Sequence, residues 1–424
     1  MRDAHNYGFS LRSKIIMARI YLDYAATTPV DKSVLDAMLP YFSKNFGNPM
    51  SVHSFGQETL EAIDDAREEV AKFLSSSPTE IVFTSGATEA NNLAIKGVLR
   101  SFYSIVRKEN EKPHIITTSI EHHCVLDSCK AAQKDGLAEV TFLPVHKDGI
   151  VRLDDLKKAI KPNTIFVSVM YVSNEIGTVQ PISEIGKLLS KINIEREEAK
   201  LPKILFHTDA TQATNYWDCD VTGLGVDLLS FSGHKIYAPK GTGVLYIKKG
   251  TAIKRILDGG DQEYKMRGGT HNLTGIVGLG AAVSTLNDAK SKEKVRRQIE
   301  KLRDHLIAKI LKEIPKSYLN GSKEKRTPNI VNFRFDDVEG EGLLLSLDLE
   351  GIAVSTGSAC SSGALDPSHV LLALGLRHEQ AHGSLRVSIG KHTTKQEVDI
   401  FIKKLKETVA RLRRISGNVM ADFK

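Results

Sequence analysis

Apolar residues in this chain recur at two spacings, and the two alternate. Between positions 58 and 74 they fall at Leu60, Ile63, Ala66, Val70, Phe73 and Leu74, the three- and four-residue steps of an amphipathic helix. Just beyond, Ile81, Val82 and Phe83 run consecutively, as in a strand buried on both faces. The exchange then repeats. Strands are predicted over 81–84, 114–119, 140–144, 164–171 and 204–207, and helices over 90–106, 125–134, 153–160 and 182–194. Leu228, Leu229 and Phe231 form a further strand end. Upstream, 34–42 has helical spacing, and Asn45, Gly47, Asn48 and Pro49 mark a loop. Such alternation predicts an α/β fold: a mainly parallel sheet under helices on both faces, with ligands at the carboxyl ends of the strands. The charged stretch 193–203 reads as a surface excursion between helix and strand.

From 276 to 314 the spacing is helical throughout, with charges crowding after Asp288, as in a connector to a second domain. Strands over 330–335, 352–355 and 385–389 and helices over 342–349, 368–374 and 396–415 follow. At 424 residues the chain is expected to hold two domains, since one domain typically takes roughly 100–200 residues. The division expected is an unpatterned extension at 1–16, an N-terminal segment at 17–30, a large domain at 31–290 and a small one at 291–424.

Composition alters this picture little. Hydrophobic residues make up 41% and charged ones 26%, and no apolar run is long enough to span a bilayer. The net charge of +7 is concentrated at the ends: residues 1–20 carry +3, residues 391–424 carry +5, and the 370 between them sum to −1. A nucleic-acid-binding protein would spread its basic residues over a working face, so direct nucleic-acid binding is not expected. The basic C-terminal segment is either a solvated helix face or a contact for an acidic partner. Ile15, Ile16 and Met17 are too short a run for a secretory signal, which leaves a disordered tail, a misassigned start or a weak targeting segment. Cys124, Cys129, Cys219 and Cys360 show neither disulfide-framework nor metal-ligand spacing, so a reducing, cytoplasmic setting is expected.

The candidate chemistry lies just after the strands. SFSGHK at 230–235 projects Lys235 from a strand end beside Ser232 and His234. An amine with hydroxyl and imidazole neighbours suits covalent capture of pyridoxal phosphate, and a solvated lysine in a turn is the plainer alternative. TSGATE at 84–89 opens a helix, so Ala87 and Thr88 sit where backbone N–H groups cradle a phosphate, or where Ser85 or Thr88 merely caps. His122 follows a strand and can stack on a planar cofactor and move protons, although a lone histidine is more often structural. Asn174 can donate and accept beside a ring hydroxyl. Asp209 ends another strand and is suited to a protonated pyridine nitrogen, or is simply a helix cap. STGSACSSG at 355–363 holds Cys360 among small polar residues, an exposed thiol that is either a nucleophile or only redox-sensitive. Arg386 lies in a strand and suits a substrate carboxylate, unless it forms a structural ion pair.

Taken together, the stretches YLDYAATTPV, FGNP, FTSGATE, EHH, SNEIGTVQP, HTDATQ, SFSGHK with PKGTG, MRGGT, STGSACSSG and GSLRVSIG resemble a cysteine desulfurase of the NifS/IscS-like class, within the class-V aminotransferase family. The resemblance runs from Tyr21 to about Ile415. It implies a fold-type-I pyridoxal-phosphate scaffold: a large domain with a mainly parallel seven-stranded sheet and a smaller α/β C-terminal domain, the N-terminal segment packing with the latter. It implies that Lys235 binds the cofactor and shuttles the substrate α-proton, that His122 stacks on the ring, that Asp209 pairs with the pyridine nitrogen and that Gln212 bonds the ring hydroxyl. Ala87, Thr88, Ser232 and His234 would hold the phosphate, joined by Thr270 from the other subunit of a homodimer. Asn174 and Arg386 would hold the carboxylate of L-cysteine, while Cys360 takes its sulfur as a persulfide and alanine leaves. The implied acceptor is a protein such as an iron–sulfur scaffold, with Cys360 also a candidate cluster ligand in that complex. Selenocysteine lyase, or another class-V aminotransferase-type enzyme, stays open as the alternative. The chain departs from the pattern at Asp261, where a third glycine is usual, and in RGGT at 267–270, where serine is common.

Overall fold

The computed structural model describes residues 19–105, 112–356 and 367–422. Its strands in chain order are β1 (Ile20–Tyr21), β2 (Ile81–Thr84), β3 (His114–Thr118), β4 (Glu139–Leu143), β5 (Thr164–Ser168) and β6 (Leu205–Asp209), then β7 (Leu228–Ser232), β8 (Gly243–Ile247), β9 (Ser317–Leu319), β10 (Ile330–Phe335), β11 (Ile352–Ala353) and β12 (Ser384–Ser388). Seven of them form one sheet in the order β2-β8-β7-β6-β5-β3-β4. All neighbours pair in parallel except at β8, which is antiparallel to both β2 and β7.

The continuous apolar runs have a simple cause. Side chains alternate across a strand, and here both faces are covered. Ile116, Val167, Phe206 and Leu229 enter one core, while their neighbours Ile115, Phe166, Leu205 and Leu228 enter the other. Helix Ser54–Leu74 packs on the first side through Ile63, Ala66, Val70 and Leu74, and helix Ala87–Ile105 on the second through Ala90, Leu93, Ala94 and Val98.

A third core gathers Val331, Phe333 and Phe335 of β10, Leu385 and Val387 of β12, and the apolar stripes of helices Ala289–Glu313 and Lys395–Asp422. The antiparallel sheet β12-β10-β9 lies within it. Ile20 and Leu22 are buried in the same core, and β1 pairs with β11. Among the described residues, no helix is long and apolar enough to cross a membrane.

Two expectations need correction, and one strand is added. The stretch 193–203 is not all excursion, because helix Ile182–Glu198 runs into it. Arg196 is buried there and donates to the carbonyls of Pro202, Lys161, Pro162 and Thr164 at 2.8–3.1 Å, so a charged residue serves as a structural plug. The expected continuous helix over 276–314 is two, Leu273–Asn287 and Ala289–Glu313. Asp288 leaves helical geometry (ψ 93°) and its carboxylate caps the second by accepting from Lys290 N and Ser291 N. Strand β8 was not anticipated. Its glycine-rich approach reads as a turn, and its place comes from the two strands it joins.

Candidate active site

Five chain segments leave the parallel sheet at the same edge and wall one cavity of about 670 Å³. Strand β6 ends at Asp209, and β7 ends at Ser232 and passes into the short turn Gly233–Lys235. Strand β3 leads to His122, which caps helix His123–Lys134, and β2 leads through Ser85 and Gly86 into helix Ala87–Ile105. The chain after β5 supplies Asn174. This convergence is what the strand order permits and the spacing of motifs along the chain does not reveal.

Lys235 Nζ donates to the carbonyls of Ala25 and Ala26 at 2.6 and 2.5 Å, in the N-terminal YAAT stretch. Gln212 Nε2 donates to the same Ala25 carbonyl at 2.9 Å. Asp209 is only 6% exposed; it accepts from Asn91 Nδ2 at 2.7 Å and from Thr211 N at 2.9 Å. His122 takes the backbone N–H of Cys124 on Nδ1 at 3.2 Å. Burial, with Lys235 and His123 adding to it against Asp209 and Asp127, lowers the pKa of His122, so its imidazole is neutral.

At the other end of the cavity Ser85, Gly86, Ala87 and Thr88 form the mouth of a 19-residue helix, whose first N–H groups lack intrahelical acceptors. Gly86 has φ +154°, which favours glycine, and a Cβ on Gly243 of β8 would lie 2.6 Å from the Gly86 backbone, so glycine at 243 lets strand and turn touch. Glu89 accepts from Ser85 N and pairs with Arg267 at 2.7 Å, which pins this turn. Ser232 lines the same end, and its hydroxyl lies 3.4 Å from the Thr242 carbonyl. His234 Nδ1 lies 3.1 Å from Thr27 Oγ1, and burial, then Lys235 and Lys240, press its pKa down to about 4. A neutral imidazole keeps an N–H to donate.

Arg386 lines the cavity, yet it is also ion-paired: Nη2 donates to Asp23 Oδ1 at 2.9 Å and Nη1 to the Asn174 carbonyl at 3.0 Å. Cys360 lies outside the described residues. The described residues on either side of its loop are anchored in this wall. Ser355 pairs through its backbone with Arg386, and Ser368 donates to the Glu175 carboxyl at 2.5 Å. Thr270 is exposed and is not among the residues of this chain that line the cavity. In the neighbouring RGGT stretch, a Cβ on Gly268 would come within 2.7 Å of the Gly259 Cα, which accounts for glycine there.

The residues present fit pyridoxal phosphate. An amine, a buried carboxylate and an imidazole share one cavity, with a helix mouth beside them for a dianion. Among the described residues Thr211 Oγ1 and Arg386 Nε are buried without a hydrogen-bond partner, which marks a wall built for something further.

Sequence reading missed the residues that support these side chains. Glu121 receives Met170 N and Thr118 Oγ1, both at 2.8 Å. Glu175 receives Ser368. Burial pushes these carboxyls up to about 8 and about 7 respectively. Cys124 lines the cavity as a thiol pushed up to about 12 by burial and by Asp209. Asn91 lies two residues beyond FTSGATE and His207 opens HTDATQ, but no spacing rule singles out side chains whose partners are up to 139 residues away.

The chain is similar to known proteins over most of its length. The family model for class-V aminotransferases matches residues 20–401. "Cysteine desulfurase IscS" from Dictyoglomus turgidum is 48% identical over 397 residues, covering 94% of this chain and 96% of the relative. The human "Cysteine desulfurase" is 45% identical over 404 residues, covering 95% and 84%. Among solved structures, "NIFS-LIKE PROTEIN" superposes with a TM-score of 0.83 at 36% identity, covering 92% of this chain and 99% of the other. "SspA in complex with cysteine" superposes with a TM-score of 0.73 at 37% identity, covering 88% and 100%.

Proposed function

We propose that the chain, which belongs to the class-V aminotransferase family, is a pyridoxal-phosphate-dependent cysteine desulfurase. It converts L-cysteine to L-alanine and takes the sulfur onto Cys360 as a persulfide. The observation that carries this reading is the meeting of Lys235, His122, Asp209 and Arg386 on one cavity, with Ser355, which precedes the stretch that holds Cys360, paired to Arg386 through its backbone.

When bound, pyridoxal phosphate supplies an electron sink that lets the Cα–H and Cβ–S bonds of cysteine break. Lys235 would hold the cofactor through its amine and move the substrate proton at Cα. Asp209, braced by Asn91, would pair with the ring nitrogen. His122 would stack on the ring and assist proton transfers. Gln212 bonds the ring hydroxyl, with Asn174 beside it. The helix mouth at Ala87 and Thr88, with Ser232 and His234, holds the phosphate, and Thr270 serves the corresponding site of a second copy in a homodimer. Arg386 and Asn174 hold the substrate carboxylate. The Cys360 thiolate attacks the substrate sulfur: a new S–S bond forms, the Cβ–S bond breaks, and protonation of the three-carbon fragment leaves alanine.

The persulfide then passes to an acceptor protein such as an iron–sulfur scaffold, in whose complex Cys360 is also a candidate cluster ligand. A cytoplasmic setting suits these free thiols. The domain division proposed is a large unit at 31–290 and a small one at 291–424, with 17–30 packing on the latter and 1–16 as an extension.

The test is alanine released from L-cysteine with a thiol reductant present, wild type beside Cys360→Ala. Release by the wild type and almost none by the variant supports the reading. Equal release by both removes Cys360 as the nucleophile and favours a lyase such as one acting on selenocysteine.

A further inference from the structure

Behind the cavity, one hydrogen-bonded chain joins the two groups that flank the cofactor site. It begins on β5 at Ser168, whose Oγ lies 2.8 Å from His207 Nδ1 on β6. His207 Nε2 lies 2.7 Å from Ser230 Oγ on β7, and Ser230 donates to Asn91 Oδ1 in a very short contact. Asn91, on helix Ala87–Ile105, then divides: Nδ2 reaches Asp209 Oδ2 at 2.7 Å and Cys124 Sγ at 3.0 Å. Cys124 Sγ in turn lies 3.0 Å from His122 Nδ1.

The direction of every bond follows from two fixed points. Asn91 Nδ2 lies on Asp209 Oδ2 and its Oδ1 on Ser230 Oγ, so the amide nitrogen donates to the carboxyl oxygen and the amide carbonyl accepts from Ser230. With the Ser230 proton committed, its oxygen receives His207 Nε2–H, and His207 Nδ1 accepts from Ser168. At the other end, the backbone N–H of Cys124 can only donate, so His122 Nδ1 is an acceptor and the ring proton sits on Nε2. The protonated Cys124 thiol adds a second donor to the same Nδ1. Among the described residues Nε2 of His122 has no hydrogen-bond partner, so it is the nitrogen left for the cavity. Asn91 is fully buried and spends both donors and its acceptor on this chain.

We propose that Asn91 is a positioning residue. Its carboxamide clamps the Asp209 carboxylate and, through the Cys124 thiol, holds His122 as the Nε2–H tautomer, so that carboxylate and imidazole keep one register. This rests on Asp209 and His122 having the roles proposed above, and it adds a consequence: His122 presents Nε2–H to the cavity as a hydrogen-bond donor, and a proton leaves Nε2 only as another reaches Nδ1. The charged groups bearing on the imidazole are Asp209 and Asp127, which favour its protonation, and Lys235 and His123, which oppose it.

The test compares holoenzymes loaded with pyridoxal phosphate: wild type, Asp209→Asn, Asn91→Leu, Ser230→Ala, Cys124→Ala and Cys124→Ser. The readouts are cofactor affinity, the pH midpoint of the bound cofactor's visible absorption, and the pH profile of kcat/KM. Asp209→Asn should move the absorption midpoint most. Asn91→Leu should move it the same way and weaken cofactor binding roughly tenfold, about what losing one hydrogen bond to a charged group implies. Ser230→Ala, a milder change if Asn91→Leu does not fold, should give a smaller shift in the same direction. Cys124→Ala should displace the pH limb of kcat/KM belonging to His122, and Cys124→Ser, which keeps a donor, should restore it.

If Asp209→Asn leaves the midpoint in place, the assignment of Asp209 fails. If Asp209→Asn shifts it while Asn91→Leu and Ser230→Ala only lower thermal stability, the assignment stands and the clamp is overturned. Equal profiles for Cys124→Ala and wild type overturn the His122 arm.

Discussion

Two regions of this molecule bury glutamates deeply and treat them in opposite ways. Glu263 sits at the end of the large sheet with its oxygens on Arg67 Nη1 and Nη2 at 2.9 and 2.8 Å, on Phe83 N at 2.7 Å and beside His271 Nε2 at 3.0 Å. Burial alone would raise its pKa, but these donors, chiefly the guanidinium, hold it at about 2. Glu121 and Glu175, behind the cavity, are as deeply buried and receive only hydroxyl and backbone donors at hydrogen-bond distance. Burial prevails, and they rise to about 8 and about 7. A countercharge in direct contact, more than depth, decides whether a buried carboxyl is a fixed anion or a neutral acid.

The anion has a structural task. Glu263, Tyr264 and Lys265 hold φ of +47°, +54° and +67° in succession, a left-handed turn without a glycine, and such geometry costs about 1–2 kcal/mol per residue. The buried Glu263–Arg67 pair offsets that cost and holds the turn shortly before Thr270. The raised carboxyls brace the other side: Glu121 ties the chain after β3 to the chain after β5, and Glu175 receives Ser368.

Arg67→Leu gives the largest expected effect. It strands Glu263 as a buried charge and should cost about 3–5 kcal/mol in denaturant unfolding. A loss under about 1 kcal/mol would show that the pair is not what holds the turn.

Next come the opposite pH slopes of two glutamine variants. Native Glu121 keeps its proton up to about 8, whereas in the unfolded chain it loses it in the ordinary carboxylate range. The native state therefore binds more protons across that window, and this site makes stability fall as pH rises through it. Glu263, held at about 2, contributes stability that is present above the ordinary carboxylate range and lost as pH falls toward 2. Unfolding midpoints against pH should thus lose the neutral-side decline in Glu121→Gln and part of the acid-side loss in Glu263→Gln. The same slope change in both would break the contrast.

Smallest is the surface control. Lys32 and Asp36 pair at 2.8 Å with side chains 86% and 54% exposed, and Lys32→Ala should leave the unfolding midpoint unmoved.

Much of this was legible in the sequence, because some signals are local. Strands β2 and β10 fall on their predicted bounds, and helices Ser54–Leu74 and Leu153–Ala159 within a few residues, since an apolar face writes its period into the chain. Lys235, Asp209 and His122 were legible because each follows an apolar run that ends in polar residues, which marks the end of a parallel strand. Residues whose reason lies elsewhere were not. Arg196 looks like one more surface charge until four carbonyls surround it, and β8 has no partner until β2 and β7 are adjacent. By itself, then, the sequence determined most of the strands and helices and which side chains end them, because period and punctuation are properties of neighbours along the chain. Only the tertiary structure decided that β5, β6 and β7 lie side by side, so that Ser168, His207 and Ser230 form one line ending at Asn91. It also decided that Glu121 is an acid while Glu263 is an anion, because hydrogen bonds, burial and countercharge depend on distance in space.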